Sequence, residues 1–552
     1  METVVTLSPD SGIIVQHNML TKKVLIKARL ADDTTKTYKI TYKTIDFARV
    51  QITNLDSVKL KLTIRPAPPK EETFLYKIGE NTARTLIMIR RVSFNYTLSD
   101  GMFIPAFLPA IGSWFGQANS PVGRAPGWGF AFGDVRRSYF NEVAENRWFV
   151  LNTDNITPGL IRSAKTINGN ATLEPLPGMT ITLNANYSDS RNTEIRFMYD
   201  GMPETRNGNF LMSTIGLGGF FAGSGDSRKG YQSDVFEKMM EYREIIGSRI
   251  QNKYMGTTYP NVGFISETPY KNTEYSPHVG VAGPNSGDVL VPAFIAAYTN
   301  KDPQKVGLTA FPSWTSLLPN WNMTYNGLIK IPSVAKNFKT LSITHRYTCN
   351  YNIGNYNSYL NWVNAGIEGD LGYVRNTETG APVPSMGYEI ASVMLNESFN
   401  PLVGLDATFQ NNMTAGVKIA RNRNLNLNVT AYQLVEAFKN DITVNIGYKY
   451  AEFNKVLKMK KKADFSNDLT VRMDYTYGKA LSLIRKLEDG YTQATQGTIN
   501  QMIQFSADYG LSKKVTLRAF YDLQMNKPLV SSTAFPTSNS NYGISLQISL
   551  NE

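Results

Sequence analysis

From Met413 to its end the chain repeats one pattern, apolar and polar residues in alternation. Leu425, Leu427, Val429 and Ala431, then Ile442, Val444, Ile446 and Tyr448, alternate with Asn426, Asn428, Thr430, Thr443 and Asn445. A period of two dictates strands with one apolar and one wet face. The pattern returns in Leu469, Val471, Met473, Tyr475 and Tyr477, in Ile503, Phe505, Ala507 and Tyr509, in Val515, Leu517, Ala519 and Tyr521, and in Tyr542, Ile544, Leu546, Ile548 and Leu550. Each segment reads as about nine to eleven residues, the length a tilted strand needs to cross a bilayer. Lipid offers the backbone no hydrogen bonds, so a spanning sheet must be a closed barrel. A large soluble antiparallel protein with one wet face would alternate in the same way. Tyr448, Tyr450, Tyr475, Tyr477, Tyr509, Tyr521 and Tyr542 sit near strand ends on the apolar side, as interfacial girdles do, and favour the barrel.

Composition agrees with strands rather than helices as the spanning element. The 552 residues include 30 Tyr, 27 Phe and 42 Gly, mean hydropathy is negative, and no run approaches the 18 apolar residues of a membrane helix. The net charge of +12 is spread over strands and loops. Its one dense run, Lys458 to Lys462, lies between two strands, with no motif for nucleic acid. One cysteine, Cys349, excludes an internal disulfide and falls on the apolar side of the strand Leu341, Ile343, His345, Tyr347. The start METVVTLSPDSG has neither the basic nor the apolar region of a signal peptide, so the chain is expected to be the C-terminal piece of something longer.

Taken in order, residues 1–100 read as barrel strands, 101–147 as an ordered loop rich in Gly, Pro and aromatics, and 148–217 as strands again. Residues 218–317 read as a loop insertion with helices at about 234–254 and 289–299, and 318–552 as the C-terminal barrel strands. The first helix rests on Val235, Met239, Tyr242, Ile246 and Ile250 at helical spacing, with Asp234 and Glu237 at capping-box positions. About 18 strand candidates result.

Catalysis, metal and cofactor find no residues here. The three histidines, His17, His278 and His345, are scattered, and no nucleophile elbow accompanies them. Charged residues within strands say more. Arg346, Lys418, Arg472, Asp474 and Arg518 occupy polar alternates, where an aqueous lumen would solvate them. Trp114 and Trp128 in the aromatic loop, with Met239 and Tyr242 on the long helix, are candidate gate or partner residues.

The stretches FIPAFLPAIGSWFGQ, APGWGFAFGD and AENRWF, then DVLVPAFIAAYTNKDPQKV, LPNWNMTYNGLIKIP, NDLTVRMDYTY with LIRKLEDG, and FSADYGLSKKVTLRAFYD with FPTSNSNYGISLQISL carry a resemblance. Through them the chain resembles the C-terminal part of the SprA (Sov) proteins, the outer-membrane translocon of type IX secretion and gliding motility in Bacteroidetes. The resemblance implies a barrel of about 36 strands, of which this chain would be half. It implies a cell-surface, non-enzymatic conduit for folded cargo bearing a C-terminal sorting domain. Its partners would be outer-membrane lipid, a PorV-like barrel, a periplasmic plug protein and the remaining N-terminal part of the barrel, with no nucleic acid. Family members are several times longer, and the first 80 residues here match loosely. The competing readings are a nutrient-transporter or porin-type barrel and a soluble β-rich adhesin.

Overall fold

The computed structural model describes residues 2–6, 12–19, 21–31, 37–53, 57–66, 88–112, 114–150, 156–196, 204–221, 223, 225, 227–367, 371–453, 456, 467–512, 514–530 and 535–549. They fall into two units, Met1–Ile87 and Met88–Glu552. The fold class is all-β and antiparallel, with long loops and a small helical insertion.

Of residues 1–100, expected as barrel strands, only those from Ile89 onward join the large sheet. Before it, Glu2–Thr6, Val24–Leu30, Thr37–Tyr38 and Lys59–Pro66 form one small sheet, and Ile13–Gln16, Thr41–Thr44 and Arg49–Thr53 form another. Their inward alternates, among them Val50, Ile52, Leu60, Leu62 and Ile64, bury one another in a core of their own. Strands of two to eight residues are too short to cross a bilayer. The Lys458 to Lys462 run lies outside the described residues.

The second unit is built on one 14-stranded sheet. Its strands are β1 (Ile89–Phe103), β2 (Gly159–Leu173), β3 (Met179–Ile195), β4 (Thr205–Ser213), β5 (Asn320–Tyr325), β6 (Phe338–Ser358) and β7 (Tyr388–Ile390). They continue as β8 (Ser392–Phe409), β9 (Met413–Asn428), β10 (Gln433–Tyr450), β11 (Leu469–Lys486), β12 (Thr492–Ser512), β13 (Val515–Pro528) and β14 (Thr537–Ile548). From β8 to β14 each strand pairs with the next in sequence, as a meander does. The strands β6, β8, β10, β11 and β12 run 18 to 21 residues, about twice the nine to eleven read from the alternation. On β6, β8, β10 and β11 the surplus has a physical reason, since part of each strand's apolar face is covered by protein.

That cover leaves the wall from the middle of a strand. β4 and β5 share a single position between β3 and β6: β4 pairs Tyr187–Glu194 of β3 and Asn350–Asn357 of β6, whereas β5 pairs Met179–Asn184 and Ile343–Tyr347. Between them the chain departs at Ser213 and returns at Asn320. The seam is sewn by polar bonds. Ser213 Oγ donates to the Leu318 carbonyl at 3.0 Å, and Asn320 Oδ1 accepts from Cys349 N at 2.7 Å.

Beyond α1 (Ser138–Glu145) of the aromatic loop, the excursion carries the α-helices α2 (Asp234–Tyr254) and α3 (Gly287–Tyr298). α2 is capped by Ser233, whose hydroxyl accepts from Phe236 N, while Asp234 and Glu237 fill the first turn and complement the helix dipole. One stripe of α2, Phe236, Met239, Ile246, Ile250 and Tyr254, is buried. α3 is buried from Asp288 to Tyr298, which is what a helix apolar on every side requires. Both pack on the apolar side of the sheet with Tyr347, Tyr351, Leu395, Leu425, Leu427 and Leu434. The aromatic loop caps the same side at the end of β1. There Tyr139, Phe140 and Val143 of α1, with Trp148 and Phe149, close over Met102, Ile161 and Ile195.

Candidate functional site: a two-faced wall and a buried clamp

The five charged residues read as lumen candidates share one face. Register places Lys418 against Thr443, Arg472 against Gly447, Asp474 against Asn445 and Arg518 against Asp508, all polar alternates, and Arg346 sits opposite Asn322. Lys418 lies 3.8 Å from Asp406 and Arg518 3.7 Å from Asp508, with both cations half exposed. These are wet, loosely held pairs on a hydrophilic wall.

The other face divides in two. Toward the β8–β9 and β12–β13 turns it is bare and apolar. Leu405, Val417, Val444, Tyr475, Ile503 and Leu523 form one cross-strand row, and Ile446, Met473, Phe505, Tyr521 and Tyr542 another. On β10 the band runs from Ile442 to Tyr450, nine residues, the length of a tilted spanning strand. Rings close its lower margin: Tyr448, Tyr450, Phe453 and Tyr509 touch in sequence at centroid distances of 5.7, 5.6 and 6.0 Å. An apolar surface of this extent on a folded protein marks a membrane or a partner.

Above the band the same face is buried beneath the insertion, and there it turns ionic. Arg423 donates to Glu397 at 2.6 Å and to the Gly218 carbonyl at 3.0 Å, and Glu397 also accepts from Leu217 N and Tyr347 OH, each at 2.6 Å. Two strands away, Arg485 Nε donates to Glu436 at 2.8 Å and Nη1 to the Tyr231 carbonyl at 2.7 Å, while Tyr298 OH donates to Glu436 at 2.5 Å. Neither pair is more than 3% exposed. Burial beside a carboxylate pushes the Tyr298 phenol well above its ordinary pKa, so it stays a donor. Each pair joins a strand to a segment of the insertion, and together they clamp the cover to the wall.

The gate candidates are not brought together. Met239 is fully buried in the core of the insertion, and Tyr242 packs partly buried against it. Trp114 and Trp128 are exposed on the aromatic loop, where Trp128 stacks on Phe132 at 6.2 Å. Cys349 is buried. The clamp residues Glu397, Arg423, Glu436 and Arg485 were missed, although a signal exists: each is a charge at an apolar alternate, as Glu436 is between Leu434 and Phe438. Among the described residues no cluster of His, Cys, Asp or Glu is arranged to hold a metal, and no helix is long and apolar enough to cross a membrane, which leaves strands unaddressed.

Comparison with family models and with curated proteins finds no match. Among solved structures, OmpT, an outer membrane protein of Vibrio cholerae in its trimer form, is similar over 71% of this chain and 92% of its own, at 10% identity and a TM-score of 0.18.

Proposed function

We propose that the chain forms part of the wall of an outer-membrane barrel and that the whole barrel is a protein-conducting channel of the type IX kind, serving export of folded cargo and gliding motility. The observation that supports membrane insertion is the division of one sheet into a bare apolar band and an opposite charged face, since a soluble sheet gains nothing by leaving such a band uncovered. The type IX assignment is carried by the sequence resemblance.

On this reading the polar face lines the lumen and the apolar face meets lipid. The sheet order ends at β14 on one side and β1 on the other, and no pairing joins the two among the described residues. An edge unpaired in lipid is forbidden, so further strands must close the barrel. The remaining N-terminal part of the protein would supply them. A PorV-like barrel, a periplasmic plug and cargo with a sorting domain are the partners that accompany this proposal.

The test has two stages. The protein should resist carbonate and urea extraction from outer-membrane fractions; release by either would return the adhesin reading. Reconstituted at full length, it should then show a large gated conductance, and a small constitutive one would favour a porin-type barrel.

A further inference from the structure

Where the bare band meets the insertion, register lines up a row of cations on the apolar face. Arg421 pairs with Asn440, Asn440 with Lys479, Lys479 with Ile499 and Ile499 with Lys527. The row beneath it is Ile419, Ile442, Tyr477, Gln501 and Met525, and the row above begins Arg423, Phe438, Leu481. Neither flanking row brings an exposed carboxylate to the cations. The guanidinium of Arg421 rests instead over the rings of Phe220 and Phe221, at 5.2 and 5.7 Å, and Lys479 and Lys527 are exposed. On the far side of the insertion, Lys165 lies over Tyr96, Tyr187 and Trp314 in the same manner.

We infer that Arg421, Lys479 and Lys527 form a binding row for the phosphates of lipid headgroups in the leaflet beside the insertion. Three things fix the occupant. The row borders an apolar band of bilayer length, neither flanking row brings it an exposed carboxylate, and its long side chains carry aliphatic stems that lie on apolar surface while the heads reach polar surroundings. Basic side chains at this depth bind anionic headgroups. Phe221 and Trp314, both half exposed at the foot of the insertion, add the amphipathic rings typical of that layer. The row thus fixes the height of the protein in the membrane and seats the insertion on the leaflet. This rests on the reading that the apolar band faces lipid.

The experiment uses the full-length protein in phosphatidylcholine vesicles with trace spin-labelled phosphatidylglycerol or spin-labelled phosphatidylcholine, reading the motionally restricted lipid component. The wild type should prefer phosphatidylglycerol by at least about fivefold, one basic residue's worth. Arg421→Gln, Lys479→Gln and Lys527→Gln combined should bring that ratio close to one. The opposite-face set Arg346→Gln, Lys418→Gln and Arg472→Gln should leave it unchanged, and Lys479→Gln alone gives an intermediate value if the triple variant folds poorly. A restricted component with no preference in the wild type, or an equal loss in both triple variants, overturns the inference while leaving the band in lipid, and the row then serves a protein partner. No restricted component for either label overturns the inference together with the membrane reading.

Discussion

On β10 two stretches of one strand face the same way and meet different surroundings. Leu434, Glu436 and Phe438 are buried beneath the insertion, whereas Ile442, Ile446, Tyr448 and Tyr450 stand bare. Successive side chains point to opposite faces throughout the strand. What changes is the solvent: protein covers one stretch and can complete the coordination of a charge, so Glu436 is tolerated there. The bare stretch carries no charge on that face, as the proposed contact with hydrocarbon requires. The contrast teaches that period two reports the faces of a sheet and not what covers them.

The comparison breaks most severely at the clamp. Arg485→Leu leaves Glu436 buried with only the Tyr298 hydroxyl, and removing one partner of a buried pair costs about 3–5 kcal/mol. Limited proteolysis of the insertion and denaturant unfolding in detergent should both register the loss. Glu436→Leu with Arg485→Leu should recover most of it, because the double variant strands no charge. Equal losses in single and double variants would show that the residues act through packing alone. In the bare stretch, Ile446→Arg should cost about 2–4 kcal/mol if that position meets the bilayer midplane. Its neighbour on the wet face, Asn445→Arg, should change stability by no more than about 0.5 kcal/mol. Folding yield read from heat-modifiable migration separates them, and similar losses at both sites would mean the two faces do not differ in solvent.

How much of this was legible follows from the same contrast. Alternation at Leu425, Leu427, Ile442 and Val444 was enough to make the chain a large antiparallel sheet, and helical spacing from Val235 to Ile250 falls within α2. The strand lengths were not legible, because the covered halves interrupt their apolar face with Arg421, Arg423, Glu436 and Arg485, and an interrupted pattern reads as a strand end. The separate first unit was also hidden. Its strands alternate as well as those of the large sheet, and only pairing shows that Leu60, Leu62 and Ile64 face a core of their own. The two strands that share one position, β4 and β5, are separated by the 106 residues 214–319, beyond the reach of any local pattern.

A smaller effect sits in the covered region at Asp288. Its carboxylate accepts from Met386 N at 2.9 Å, but burial raises its pKa from 3.8 to about 6. The folded state therefore holds the proton more tightly than the unfolded chain does. That contribution is complete below about pH 3.8 and is lost as pH rises through about 6. Asp288→Asn, which keeps an acceptor for Met386 N, should flatten this dependence and stabilise the insertion by about 2–3 kcal/mol at pH 8. Hydrogen exchange at the Met386 amide against pH is the measurement. An unchanged profile in the variant would place the titration elsewhere.

The smallest stability change belongs to the polar face. Lys418 and Asp406 are 3.8 Å apart and roughly half exposed, and water screens such pairs so well that removing one partner costs about 0–1 kcal/mol. Lys418→Gln should leave the unfolding midpoint almost unmoved, a large contrast with Arg485→Leu although each substitution removes one cation from one ion pair. If the polar face lines a lumen, Lys418→Glu with Arg472→Glu should shift the reversal potential toward cation selectivity at unchanged stability. A charge reversal that destabilises the protein and leaves selectivity alone would mean that this face is packed against protein, and the assignment of the two faces would have to be exchanged.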